Sequence, residues 1–377
     1  MRTTLAAVLA ALLLPLAPTA TATAAHATAA PAAPDPDAPA APAAVPDPAP
    51  ARRTVSAWLP FWDQAVAYQD ALRHADQLHT VSPFWYEAQA DATVATHPGA
   101  EDRTVVDGLH RAGIKVVPTV NEALGKGVLA AVVTDPARRA AHADALLATA
   151  ARGDYDGLDL DYETFTTADD ATYAAVRDGY AALVTDVCAR LHARAKTCVV
   201  TVSPQTRVSG RVWDYPALGK AVDLLRIMGY NLHWASGGPG PLSSTAWYEE
   251  VLAHATKLVP ADRIELALPS YGWDWAVAAD GTRAGRAAHV TWQEAETLRR
   301  ARKAPYRLDP VSSSPYFGYT DDRGRNRQVW YQDAQGVAGQ LPVLRRHGVT
   351  RTALWALGWE DPALWPVLAR GAPAPAA

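Results

Sequence analysis

From about Arg52 onward, short apolar segments of strand character alternate with longer segments whose apolar residues recur at helical spacing. The strand candidates are TVSAWLPFW from Thr54, LHTVSPFWYE from Leu78, IKVVPTVNE from Ile114 and GLDLDYE from Gly157. Four more follow: TCVVTVSP from Thr197, LLRIMGYN from Leu224, IELALPSYGW from Ile264 and RTALWALGW from Arg351. Stretches such as PARRAAHADALLATAARG lie between them. Eight strands in βα alternation predict an α/β fold, a parallel (β/α)8 TIM barrel, exceeding a bare barrel of ~250 residues by a tolerable insertion. The excess falls between strands seven and eight, at about 276–333. There the β-like pieces SPYFGYT and RQVWYQD surround a helix over 292–302, a small α+β insertion. A doubly wound open sheet is the alternative architecture. No glycine-rich phosphate loop follows a strand, and no cofactor is expected.

The segment before the barrel reads as an address and a spacer. Met1 and Arg2 precede the apolar run LAAVLAALLLPLA, too short to span a bilayer, and small residues continue to Ala27. Residues 1–27 are expected to be a secretory signal peptide, cleaved after Ala24 or Ala27. Residues 28–51 are almost pure Ala, Pro and Asp, a linker that cannot bury a core. Residues 52–377 then form the one folded domain. The mature chain is expected to be secreted, extracellular or cell-wall associated, monomeric and without a membrane span. With 35 Lys+Arg against 39 Asp+Glu, the charge is near balance. A nucleic-acid binder would need a basic face, so nucleic acid is not an expected partner.

Candidate chemistry concentrates on the fourth strand. Side chains on a strand alternate faces, so Asp159, Asp161 and Glu163 point the same way, into the barrel. Asp156 has the opposite parity and reads as structural. Three stacked carboxylates repel one another, and at least one should hold its proton at neutral pH. A carboxylic acid at the carboxyl end of a barrel strand suits general-acid cleavage of a glycosidic bond. Asp-x-Asp also binds divalent cations, but the EF-hand glycine and loop are missing and the strand is apolar. No metal is assigned.

The segment Asp156-Gly157-Leu158-Asp159-Leu160-Asp161-Tyr162-Glu163 resembles the D-G-x-D-x-D-x-E signature of glycoside hydrolase family 18, the chitinase-like barrels. Met228-Gly229-Tyr230-Asn231 looks like that family's M-x-Y-D, with Asn231 where chitinases usually place Asp. The run Tyr271-Gly272-Trp273-Asp274-Trp275, His233 and the ending LWALGWEDPALW resemble the spore-germination branch, whose members cleave cell-wall peptidoglycan. The resemblance implies that Glu163 protonates the glycosidic oxygen while the substrate's own acetamido carbonyl attacks the anomeric carbon. Asp161 would orient the acetamido nitrogen, Asp159 would tune Asp161, and Tyr230 would hydrogen-bond the acetamido carbonyl. Trp355 matches the tryptophan under the reactive sugar. The implied substrate is a glycan containing β-linked N-acetylglucosamine, peptidoglycan ahead of chitin. A chitinase, or an inactive lectin on the same barrel, is the alternative.

Aromatic residues are skewed to 13 Trp and 14 Tyr against 4 Phe, a composition suited to stacking on sugars. Trp58, Trp62, Trp85, Trp234, Trp273 and Trp275 lie at or just after strand ends, on the face where barrel active sites are built. Two or three are expected to stack on sugars and the rest to pack. Trp213, Trp247, Trp292, Trp330 and Trp365 are given to helix packing or the insertion. The expected substrate-binding set is Trp355, Asn231, His233, Trp58, Trp85, Tyr271, Trp273, Asp274, Glu87 and Asn121. His233 is expected as a hydrogen-bonder and not a metal ligand.

Two cysteines remain, Cys188 near the end of a helix and Cys198 at the start of strand five. In an exported, oxidising compartment they are expected to pair across the short αβ connection. Closing a loop of about ten residues would stabilise by roughly 2–3 kcal/mol. Two separate buried thiols are the alternative.

Overall fold

The structure, a computed structural model, describes residues 54–371 except 126, 166–169 and 207–208. The expected signal peptide and the whole of the linker lie outside the described residues. Eight strands form the barrel: β1 Val55–Pro60, β2 Leu78–Ala88, β3 Thr119–Asn121 and β4 Gly157–Asp161. They continue with β5 Thr197–Val202, β6 Leu224–Met228, β7 Ile264–Pro269 and β8 Arg351–Trp355. Each pairs in parallel with its neighbours, and β8 returns to β1, so the sheet closes. Closure removes every edge and excludes the open-sheet alternative. Helices such as Pro136–Arg152 and Asp170–His192 cover the outside. None among the described residues is long and apolar enough to cross a membrane.

Proline sets two of the boundaries. The third strand candidate splits into Lys115–Val116 and Thr119–Asn121 around Pro118, which has no N–H for the ladder. The seventh candidate ends at Pro269, earlier than its apolar pattern suggests. Past Ser270 the chain turns away as Tyr271–Val277 and joins a second, five-stranded sheet. That sheet contains Ala288–Thr291, Arg307–Asp309, Ser314–Thr320 and Asn326–Trp330, all antiparallel. The insertion thus begins at Tyr271, ahead of the expected 276. Its helix, Trp292–Ala301, starts on a reciprocal Thr291–Glu294 capping box.

Inside the barrel, polarity changes by layer. Val117, Val199 and Leu224 form an apolar cluster. Two residues further along the same segments stand Thr119, Thr201 and Arg226, so the next layer is polar. On β4 the alternation sends Leu158 and Leu160 into the main core and Asp159 and Asp161 inward. The barrel therefore presents charge above an apolar plug. Cys188 on the Asp170–His192 helix and Cys198 on β5 form a disulfide with a Cα–Cα distance of 5.3 Å. It ties the end of the helix to the start of the strand, at the rim opposite the strand ends that carry the site.

Candidate active site

Asp159, Asp161 and Glu163 climb β4 from the interior to the mouth. Asp159 is wholly buried, Asp161 is 5% exposed, and Glu163 is open to solvent. Asp159 accepts hydrogen bonds from Thr119 Oγ1 at 2.9 Å, Thr201 Oγ1 at 2.8 Å and Arg226 Nη1 at 2.9 Å. Burial raises its carboxyl, and Arg226 and the two threonines oppose the rise. Asp161 lies one step higher, and its buried Oδ1 has no hydrogen-bond partner. Burial first, then repulsion from Glu163 and Asp159, holds its carboxyl well above the ordinary aspartate range. The protein surrounding Glu163, and then the charge of Glu122, push the Glu163 carboxyl up as well. The site is built to keep a proton on a carboxyl group.

Glu163 opens into a cavity of about 240 Å³ lined also by Tyr230, Asn231, Met228, Ser203, Thr206 and Trp247. Tyr230 and Asn231 follow directly on β6, so the two motifs meet across the barrel mouth. Burial raises the Tyr230 hydroxyl far above its ordinary value, leaving it a neutral donor. Asn231 has φ of 60°, a left-handed conformation that Asn tolerates. Its Oδ1 accepts from Tyr271 Oη at 2.6 Å and from Trp273 Nε1 at 3.3 Å. With both donors on the oxygen, the amide nitrogen remains to donate elsewhere.

Trp355, at the end of β8, is half-buried on a floor of rings. Its ring centroid lies 5.4 Å from Trp58, 5.2 Å from Phe84 and 6.3 Å from Trp62. Trp58 is wholly buried under Trp355 and is a support, correcting its expected place against substrate. Trp85 is also fully buried. Its Nε1 donates to Gln64 at 2.7 Å and its ring packs on Tyr155, on the helix side of β2. The residue facing Trp355 is instead its neighbour Phe84, by strand alternation. Trp62 and Trp234 are the exposed tryptophans of the expected group, at 49% and 52%.

Alternation on Tyr271–Val277 separates the remaining expected residues. Tyr271, Trp273 and Trp275 share the side that packs with Trp58 and Trp355. Asp274 has the opposite parity. It accepts from Arg327 Nε at 3.0 Å and Tyr319 Oη at 2.8 Å, a structural ion pair inside the insertion and not a substrate contact. His233 Nδ1 lies 3.0 Å from the Gly238 carbonyl and closes its own loop. Glu87 and Asn121 meet at His97, with His97 Nε2 3.0 Å from Asn121 Oδ1 and 3.9 Å from Glu87 Oε2. His97 in turn stacks on Phe61 and Phe84, so this cluster stands beside the ring floor, with Asn121 opposite Asp161 in the strand register, and does not line the cavity at Glu163. Asp156 accepts from Val116 N–H at 2.7 Å, the structural role its parity suggests.

Several residues around the site belong to no sequence motif. Glu122 accepts the Thr164 and Leu124 N–H groups, each at 2.9 Å, and so holds Thr164, the residue next to Glu163. Trp247, given to helix packing, lines the cavity from the first turn of Thr245–Ala255. Arg226 and Glu265 are buried ions at inward positions of β6 and β7, joined at 2.5 Å. A lone charge at inward parity in the runs LLRIM and IELALP was the available signal for both.

The profile of glycosyl hydrolases family 18 matches residues 89–360, the greater part of the chain. Among sequence relatives, the uncharacterized glycosylase YvbX of Bacillus subtilis is 26% identical over 230 residues, 60% of this chain and 64% of that protein. The cortical fragment-lytic enzyme of Bacillus anthracis is 27% identical over 229 residues, 59% of this chain and 51% of that enzyme. The chain thus spans between half and two thirds of the length of these relatives. The fold is shared with the C-terminal domain of a putative chitinase from Desulfitobacterium hafniense, with a TM-score of 0.76 at 24% identity, covering 85% of this chain and 99% of that one. It is shared equally with the Bacillus cereus spore cortex-lytic enzyme SleL, with a TM-score of 0.75 at 21% identity, covering 87% of this chain and 76% of that one. With its acid strand complete and the family profile matching residues 89–360, the chain belongs to glycosyl hydrolase family 18.

Proposed function

We propose that the protein is a secreted hydrolase of β-linked N-acetylglucosamine-containing glycans, acting on peptidoglycan by substrate-assisted, retaining catalysis. The observation that carries the mechanism is the lining of the cavity. Among its described lining residues Glu163 is the one carboxylate, and Asp161 and Asp159 lie below it on the same strand. An enzyme nucleophile would need a second carboxylate facing the anomeric carbon from the other side of the ring. The substrate's acetamido oxygen takes that place. Glu163 protonates the glycosidic oxygen, Tyr230 donates to the acetamido carbonyl, and Asp161 receives the acetamido N–H on its unpartnered Oδ1. The positive oxazolinium ion then forms beside the carboxylates, where their field stabilises it. Water enters once the leaving sugar departs, and Glu163 takes its proton.

Peptidoglycan is favoured by the relatives named for lysing cortex and cortical fragments. A second cavity of about 330 Å³ adjoins the first at Thr206 and is lined by Arg177 and Arg211. Arg177 is paired with Asp178 and Asp214 shares the lining, so Arg211, over the Tyr173 ring, is the cation that suits a peptide-stem carboxylate better than neutral chitin. The disulfide agrees with export to an oxidising compartment. Mass spectrometry of products from purified peptidoglycan and from chitin oligomers tests this reading. Fragments ending in a reducing amino sugar from peptidoglycan are expected. Cleavage of chitin oligomers alone would make the protein a chitinase.

A further inference from the structure

Asp159, Arg226 and Glu265 form a wholly buried ionic chain across the barrel interior. Arg226 Nη1 is 2.9 Å from Asp159 Oδ2, and Arg226 Nε is 2.5 Å from Glu265 Oε2. Ser82 Oγ accepts from Arg226 at 3.1 Å, and Ser56 Oγ donates to Glu265 Oε1 at 2.6 Å. Arg226 also lies 4.5 Å from the centre of the Trp58 ring, the support under Trp355. Buried ions of this kind are costly to desolvate, and apolar side chains of similar volume often serve stability as well or better. Stability is therefore a poor reason for placing three charges here.

The geometry at Asp159 supplies a better one. Each of its oxygens is occupied, Oδ1 by Thr201 and Oδ2 by Thr119 and Arg226. A guanidinium can only donate, so this arrangement suits an ionised carboxylate with no proton of its own. Asp161, by contrast, has an oxygen with no partner at all. We propose that Arg226 and Glu265 are positioning residues that clamp Asp159 as an anion and thereby confine the transferable proton of the site to Asp161 and Glu163. Glu265 fixes the guanidinium from the far side, and Asp159 is held directly beneath Asp161. The anion then does two things. It cannot take the proton that the acid must deliver, and its field strengthens the hold of the upper carboxyls on that proton.

The charged and titratable groups around Asp159 come from several elements. Asp161 and Glu163 stand above it on β4, Glu122 follows β3, and Arg226 and Tyr230 come from β6. Glu265 reaches in from β7 and Tyr180 from the Asp170–His192 helix. Of these, Arg226 alone is a cation. Removing it leaves Asp159 buried among anions, where it protonates. The field on Asp161 and Glu163 weakens, and their proton is lost at lower pH.

The test replaces the pair together, as Arg226→Met with Glu265→Gln, so that no lone ion is left buried. The proposal rests on Glu163 as the acid, and Glu163→Gln is run beside it. In the folded double variant kcat is expected to fall roughly tenfold or more, with KM nearly unchanged and the alkaline limb of the kcat profile moved to lower pH. Adding Asp159→Asn should cost little more, because Arg226 acts through Asp159. Arg226→Lys should recover part of the loss. A folded double variant with wild-type kcat and pH profile, or a further full loss on adding Asp159→Asn, would overturn the proposal. If the double variant does not fold, Asp159→Asn with Arg226 intact decides, since it must move the alkaline limb in the same direction. An active Glu163→Gln would instead remove the mechanism underneath.

Discussion

Tyr271 donates its hydroxyl to Asn231 Oδ1 at 2.6 Å, joining the first strand of the insertion to the loop that follows β6. The contact puts an uncharged amide at the cavity wall, one residue from Tyr230 and facing the same space as Glu163. Asn231→Asp keeps an acceptor for Tyr271 and Trp273 but adds a negative charge near the acid. Because a like charge disfavours ionisation of Glu163, its carboxyl should rise further. The alkaline limb of the pH–rate profile is expected to move to higher pH. A profile that stays in place would show that position 231 is electrostatically remote from the acid.

Asp161→Asn separates catalytic need from stability. The folded Asp161 carboxyl holds its proton at pH values where the unfolded one, near ~4, has lost it. Folding therefore takes up a proton across that window, and stability falls as pH rises through it. Replacing the group by a neutral amide removes this penalty. The variant should be more stable than wild type at pH 7 by ~1 kcal/mol or more, with the gain shrinking as the pH is lowered towards 4. Its activity should drop sharply. Denaturant unfolding at both pH values checks the first part, and equal stability at pH 7 would contradict it.

Participation of the acetamido group predicts the inhibitor class. A thiazoline analogue of the oxazolinium ion should bind against Tyr230 and Asp161 and inhibit competitively. If it fails while an epoxide substrate analogue labels a carboxylate covalently, an enzyme nucleophile replaces the substrate's own.

The Cys188–Cys198 bridge is structural. Both cysteines are fully buried, and they are 10 residues apart with Cα atoms at 5.3 Å. Replacing both with Ala is expected to cost roughly 2–3 kcal/mol, the order given by chain entropy for a loop of this length. Thermal unfolding should therefore shift downward while kcat/KM below the transition stays the same. A loss of kcat in the folded double variant would connect the helix end to the active site.

The catalytic strand was legible because one rule, alternation, decides it: Asp159, Asp161 and Glu163 share a parity, and Leu158 and Leu160 fill the other side. The eight-strand order was legible for a similar reason, since each apolar run is followed by a helical one. The tryptophans were not. Trp58 and Trp62 both lie near the end of β1, yet one is buried under Trp355 and the other is open. Asp274 was misplaced because β7 was read through Pro269 into a strand that belongs to the other sheet. Arg226 and Glu265 become a site only once strand pairing sets them side by side on β6 and β7 and the curl of the sheet brings Asp159 of β4 within reach. No local pattern contains that distance.

Glu163 carries the central claim, and its replacement by Gln tests it most directly. The exchange keeps size and hydrogen bonding but removes the proton that the leaving oxygen requires. Release of soluble fragments from purified peptidoglycan should be measured for wild type and Glu163→Gln, after matching their thermal unfolding. A loss of about 10²–10⁴ in rate at unchanged stability is expected for removal of a general acid. Comparable rates from two equally folded proteins would show that the proton comes from elsewhere.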